Sequence, residues 1–86
     1  MTGRTATSVR VTALLFAQFR VAAGRQRIEV ELEGDATVRS LAERLQGDLA
    51  LDLKGALCAV DERYSDPDVV LHGGETVAFL PPVSGG

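Results

Sequence analysis

Apolar residues recur at clear helical spacing along one stretch of this chain, while the runs on either side repeat at a spacing of two. After Thr37, a residue type that caps helix N-termini, Val38, Leu41, Ala42 and Leu45 fall at intervals of three and four as far as Gly47. That pattern lays one apolar stripe along a helix. Upstream, Val9, Val11, Ala13 and Leu15 alternate with Arg10, Thr12, Leu14 and Phe16, and Ile28, Val30 and Leu32 alternate with Arg27, Glu29 and Glu31. Each run reads as a half-buried strand. Ala17 to Ala23 fits a short helical turn closed by Gly24, so the two strands pair as a hairpin. Downstream, Leu57 to Val60 and Thr76 to Leu80 form the remaining strands. Between them lies a loop-rich stretch punctuated by Tyr64, Asp66-Pro67 and Gly73-Gly74. Asp48 to Gly55 carries leucines at 49, 51 and 53 without a clean period and reads as a connection. Strand, strand, helix, strand, strand is an α+β order, with one main helix packed on one face of a mixed sheet of four to five strands.

Composition limits what such a domain does alone. The chain has 86 residues, 45% hydrophobic and 24% charged, enough for one domain near the small end of what holds a core without disulfides or metal. Its formal charge is −3 and its nine basic residues are scattered, so it has no stripe of the kind that neutralises a phosphate backbone and nucleic acid is not an expected partner. Met1 to Ser8 is small and polar, and Arg10 and Thr12 interrupt the apolar run that follows. No signal peptide or membrane span is supported, and a cytoplasmic protein is expected. The expected organisation is a flexible segment over 1–8, a domain over 9–80 and an extended tail over 81–86.

That tail is the main pointer to function. Pro81-Pro82-Val83-Ser84-Gly85-Gly86 follows directly on a strand. Two prolines fix φ and stiffen the chain toward polyproline II geometry, whereas glycine, with no Cβ, passes down a narrow channel. A stiff base with a slim tip suits insertion, and from Pro82 to Gly86 it spans at most about 17 Å. The expectation is a carboxylate at Gly86 carried as a reagent on an arm, against the plainer alternative of a frayed end.

The remaining chemistry-bearing residues are sparse. His72 stands beside Gly73-Gly74 and reads as a solvated turn residue. Cys58 sits in the apolar run Ala56 to Val60 and reads as core. One His and one Cys at this spacing do not make a metal site. Gly73-Gly74 lacks the lysine and helix of a phosphate loop, and Asp66 and Asp68 flank Pro67 as turn carboxylates. No stably bound cofactor is expected, and acid and base groups would come from a partner. A docking surface follows from strand parity. If Val77 and Phe79 face the core, Ala78 and Leu80 face out, alongside Leu14 and Phe16 should the first and last strands be neighbours. The competing reading covers Phe16 and Leu80 with Ala17 to Ala23 or with the loop through Tyr64.

Phe16-Ala17-Gln18-Phe19-Arg20 leading to Gly24, Thr37-Val38, Ala59-Val60-Asp61, Gly73-Gly74-Glu75-Thr76-Val77 and the run from Phe79 to Gly86 together resemble the small subunit family of molybdopterin synthase. The resemblance covers nearly the whole chain from Val9. It implies a ubiquitin-like β-grasp fold and a sulfur carrier. An E1-like adenylating enzyme would use ATP to activate the Gly86 carboxylate, a sulfur donor would convert it to a thiocarboxylate, and Gly85 would keep the tail slim. Sulfur would then pass to a pyranopterin precursor held by the large subunit of a heterotetramer. Phe16, Tyr64, Leu80, Pro81, Pro82, Val83 and Ser84 would contact the partner. Two departures stand out: Asp61 where the family usually has asparagine, and a shorter helix and connection over Thr37 to Gly55. An ionised carboxylate at Asp61 accepts hydrogen bonds and cannot donate them. Other readings are a sulfur carrier of another, thiamine-like pathway, a ubiquitin-like protein modifier, and a binding module with an inert tail.

Overall fold

The computed structural model describes residues 8–82, and its architecture grows outward from one well-capped helix. In α2 (Val38–Leu49), the Thr37 side chain accepts from the Ser40 amide while the Ser40 hydroxyl accepts from the Thr37 amide. This reciprocal capping box satisfies helix-end donors that have no partner inside the helix. A returning loop supplies two more acceptors, as the Val38 amide donates to Val69 O at 3.0 Å and the Arg39 amide to Pro67 O at 2.8 Å. The loop-rich stretch is thus fastened to the start of the helix, with an isolated bridge between Thr37 and Val70.

The helix runs through Gly47 to Leu49 and ends at Ala50 in the left-handed region (φ 55). The expected stop at Gly47 is therefore two residues early. Glycine inside a helix costs about 1 kcal/mol, and the two further residues bring Leu49 against the core, which offsets that cost. Beyond it, residues 50–55 form the connection, and Leu51 and Leu53 are both buried.

Five strands make one sheet: β1 (Ser8–Leu15), β2 (Arg27–Glu33), β3 (Leu57–Val60), β4 (Arg63–Tyr64) and β5 (Thr76–Leu80). Their spatial order is β2-β1-β5-β3-β4. β1 pairs antiparallel with β2 and parallel with β5, which pairs antiparallel with β3. The expected hairpin of the first two strands is present, with a short helix α1 (Gln18–Ala23) in its connection and Gly24 as its left-handed cap (φ 78). β1 starts one residue before the expected boundary, because Ser8 pairs with Glu33 and its hydroxyl bonds to the Glu31 carboxylate.

Tyr64 stands on a strand rather than in a loop. β4 is two residues long, too short to show a period, and a tight turn through Asp61 and Glu62 (φ 50 and 72) creates it by folding the chain back on β3. Positive φ at both central residues is the geometry of two-residue hairpin turns. The parity expectation holds: Val11, Ala13, Leu15, Val77 and Phe79 lie beneath α2 with Val38, Leu41 and Leu45, all essentially removed from solvent.

At the opposite end of the sheet from Leu80, Glu75 organises the Gly73-Gly74 turn. Its carboxylate accepts from the amides of Gly73 and His72 at 2.7 and 2.8 Å, while the Gly74 amide donates to Arg10 O. Burial pushes the Glu75 carboxyl up, but the amides of His72, Gly73 and Glu75 itself, with the nearby His72 charge, outweigh it and hold the group below the usual glutamate range.

Two outcomes follow. Thr37→Ala is expected to lower stability by about 1 kcal/mol, read from the urea midpoint at unchanged slope. Because the folded Glu75 pKa is depressed, its contribution is fully present above the unfolded value of about 4.3 and disappears as pH falls through the lower folded value. The stability gap between the parent chain and Glu75→Gln is expected to narrow below that pH, and a gap that widens there would contradict the assignment.

Candidate functional site

The chain leaves the sheet from its centre. β5 lies between β1 and β3, and sheet pairing ends where Leu80 meets Leu57. Pro81 follows, and since proline has no N–H to donate, the ladder stops there. Pro81 is half-buried and Pro82 exposed. The backbone at Gly55 (φ 78) passes so near Pro82 that an added Cβ would lie 4.0 Å from its Cγ. The candidate tail residues Val83, Ser84, Gly85 and Gly86 lie outside the described residues.

The face of the sheet turned away from α2 carries the candidate contacts. Register places Arg27, Leu14, Ala78, Ala59 and Tyr64 in one row across all five strands. Leu80 and Leu57 form the next row toward the tail. Leu14, Phe16, Ala78 and Leu80 are half-buried, and Tyr64 is 74% exposed. Phe16 keeps part of its surface open to solvent. It lines an open concavity of about 490 Å³ with Leu14, Ala59 and Ala78, closed at the end away from the tail by Thr76, Asp61 and Glu62.

Phe16, Tyr64 and Leu80 therefore share one face, reached from three different strands or their ends. Leu57, Ala59, Asp61 and Glu62 belong to the same surface and were not singled out from sequence as contacts. Their place there comes from pairing of β3 with β5, which leaves no mark in local periodicity.

Asp61 has a defined task. Its amide donates to Thr76 O at 2.8 Å and its Oδ1 accepts from the Thr76 amide at 2.9 Å. Only an acceptor is needed at that position, so the carboxylate serves where asparagine would. The turn ties the β3–β4 hairpin to the start of β5.

Cys58 and His72 stand apart from this face. Cys58 pairs with Phe79 on the helix side of the sheet, and burial pushes its thiol up, so the protonated, weakly nucleophilic form prevails at neutral pH. His72 is exposed in the Glu75 turn. Among the described residues, no three His, Cys, Asp or Glu side chains gather into a metal-ligand set, and no helix is long and apolar enough to cross a membrane.

Comparison with known proteins agrees with this geometry. The profile of the ThiS family matches residues 13–86. A solved structure from Pyrococcus furiosus, described as a molybdopterin converting factor subunit 1, shares 32% identity at a TM-score of 0.77, covering 87% of this chain and 99% of that one. SAMP1, a small archaeal modifier protein of Haloferax volcanii, superposes with a TM-score of 0.77 at 24% identity, covering 90% of this chain and 99% of that one. A chain from the complex of subunits 1 and 2 of the Helicobacter pylori molybdopterin-converting factor matches with a TM-score of 0.65 at 21% identity, covering 91% of this chain and 100% of that one. The last two show the shared fold. No curated protein sequence matches the chain. The five-stranded mixed sheet with its packed helix is thus a ubiquitin-like β-grasp, and the chain belongs to the ThiS family of ubiquitin-like sulfur carriers.

Proposed function

We propose that the chain is the sulfur-carrying small subunit of a molybdopterin synthase. The observation that carries this reading is the exit of β5 from the sheet centre through Pro81 and Pro82, beside an open apolar face that includes Phe16, Leu80 and Tyr64. A partner that covers that face receives the tail in a fixed direction. The 32% identity with the Pyrococcus furiosus protein favours molybdopterin synthesis among the pathways served by the family.

The chemistry belongs to Gly86. A carboxylate is a poor electrophile until one oxygen becomes part of a good leaving group. Attack of the Gly86 carboxylate on the α-phosphorus of ATP, in an E1-like adenylating enzyme, releases pyrophosphate and leaves an acyl adenylate. Hydrosulfide released by a sulfur donor then attacks the acyl carbon, AMP departs with the displaced oxygen, and the thiocarboxylate remains. Its sulfur attacks the pyranopterin precursor in the large subunit, and water then cleaves the acyl–sulfur bond of the resulting thioester, which leaves the sulfur on the precursor and returns the Gly86 carboxylate, in the manner of covalent catalysis. Two deliveries build one dithiolene, which suits a heterotetramer with two small subunits. The domain holds no cofactor of its own in this scheme, and ATP is consumed by the activating partner. The cytoplasm, where ATP and the activating enzyme reside, is the proposed location.

A second reading, a protein modifier joined through Gly86 to lysines, is favoured by the likeness to the Haloferax volcanii modifier protein. The two readings part on the product formed.

Incubation with an activating enzyme, ATP and a sulfur source is expected to add about 16 Da at Gly86, read by intact mass, and removal of Gly86 is expected to abolish both this gain and synthase activity. An unchanged mass in the parent chain would refute the carrier reading, while isopeptide-linked lysines without thiocarboxylate would favour the modifier. On the open face, Phe16→Ala and Tyr64→Ala are each expected to weaken binding of the large subunit by about ten-fold or more, measured by calorimetry, as truncation of buried aromatic anchors does.

A further inference from the structure

Strand direction sorts the charges of the domain. β1 and β5 run toward the tail exit, whereas β2 and β3 run away from it. Arg27, the first residue of β2, therefore stands at the exit end, as do Arg20 in α1 and Arg25 in the connection after it. β2 closes at the far end with Glu31 and Glu33, and Asp61, Glu62 and Glu75 collect at that end too. A chain of net charge −3 thus carries three arginines at the exit end on the β2 side, while Asp52 stands on the opposite side, in the connection that leads to Gly55 and Pro82.

That end has shape as well as charge. Arg20 and Arg25 line a concavity of about 470 Å³ with Ala17, Val21, Gly24 and Gln26, and among the described residues no carboxylate lines it. Among the described residues, the ion pairs are Arg39 with Asp68 and Arg44 with Asp48, so Arg20, Arg25 and Arg27 have no carboxylate partner. Val21 is 80% exposed, an unusual state for a valine, and adds apolar area to the basic rim. The concavity adjoins the exit because the Phe16 amide, just before α1, donates to Phe79 O at 3.2 Å.

We infer that Arg20, Arg25 and Arg27 dock against an acidic protein surface rimming the entrance to the adenylating enzyme that takes the tail, an inference that rests on the carrier reading above. The negative far end is repelled by such a surface while the basic end is drawn to it, so approach tail-first is favoured before any apolar contact forms. Guanidinium groups pair in a fork with carboxylates, which fixes orientation on arrival. A nucleic acid is the poorer fit, since three arginines on an acidic chain make no continuous track along a phosphate backbone.

The test compares association of the intact chain with the adenylating enzyme by stopped-flow, alongside adenylation with ATP. The triple variant R20E/R25E/R27E, with folding checked by circular dichroism, is expected to associate about ten-fold more slowly or worse at about 50 mM salt, and the gap is expected to close near about 500 mM. Arg63→Glu is the control at the far end. Its side chain stands on the helix-side face of the sheet opposite Val60, and its rate is expected to stay within about two-fold of the parent. Parent-like association and adenylation by the triple variant overturn this inference alone. Equal slowing by Arg63→Glu also overturns it, because the effect then follows net charge and not place. Saturable binding of a transfer RNA mixture that the triple substitution abolishes, with adenylation unaffected, reassigns the surface to nucleic acid. Failure of the parent chain to be adenylated at all overturns the carrier reading and this one with it.

Discussion

The parallel pairing of β1 with β5 is the contact on which the rest of the molecule depends. It joins residues more than sixty positions apart at the middle of the sheet, Leu15 opposite Phe79 and Leu14 opposite Ala78. On one side it closes the core, where Leu15, Phe79, Val77 and Ala13 lose their exposure to solvent against α2. Burying a leucine or phenylalanine side chain in this way contributes about 1.5–3 kcal/mol each. On the other side the same pairing builds the apolar face, and in register it delivers Pro81 to the centre of the sheet. Core, docking face and tail exit are three consequences of one ladder.

Around that ladder, backbone and carboxylate contacts fasten irregular segments that also bury Leu51, Leu53 and Leu71 in the core. The loop through Pro67 and Val69 feeds carbonyls to the helix start, Glu75 gathers the amides of the Gly73-Gly74 turn, and Asp61 pins the β3–β4 hairpin to Thr76. Each places an acceptor where a backbone donor would otherwise lack one. The pins at Asp61 and Glu75 crowd the end of the sheet far from Pro81, away from Arg20, Arg25 and Arg27. Fold maintenance and charge distribution are in this respect the same arrangement.

Much of this was legible beforehand. Alternation in Val9 to Leu15 and in Ile28 to Leu32 identified the inward faces, Thr37 and the stripe through Leu45 identified the helix, and parity in Val77 to Leu80 separated core from surface. The helix end was not legible, since Gly47 is a stop signal by propensity and a passenger once Leu49 has a core to pack against. Nor was β4, whose two residues become a strand only because β3 is there to pair with.

Sequence alone determined the elements, the inward faces and the Pro-Pro-Val-Ser-Gly-Gly motif, because these rest on side-chain period and backbone stereochemistry acting within a few residues. Tertiary structure alone decided that β1 and β5 are neighbours, that Leu57 and Ala59 join Phe16 and Leu80 on one face, and that Arg20, Arg25 and Arg27 gather at the end where the tail leaves. Those outcomes depend on register between distant strands, which is set by packing of the whole core and leaves no periodic trace in any one segment.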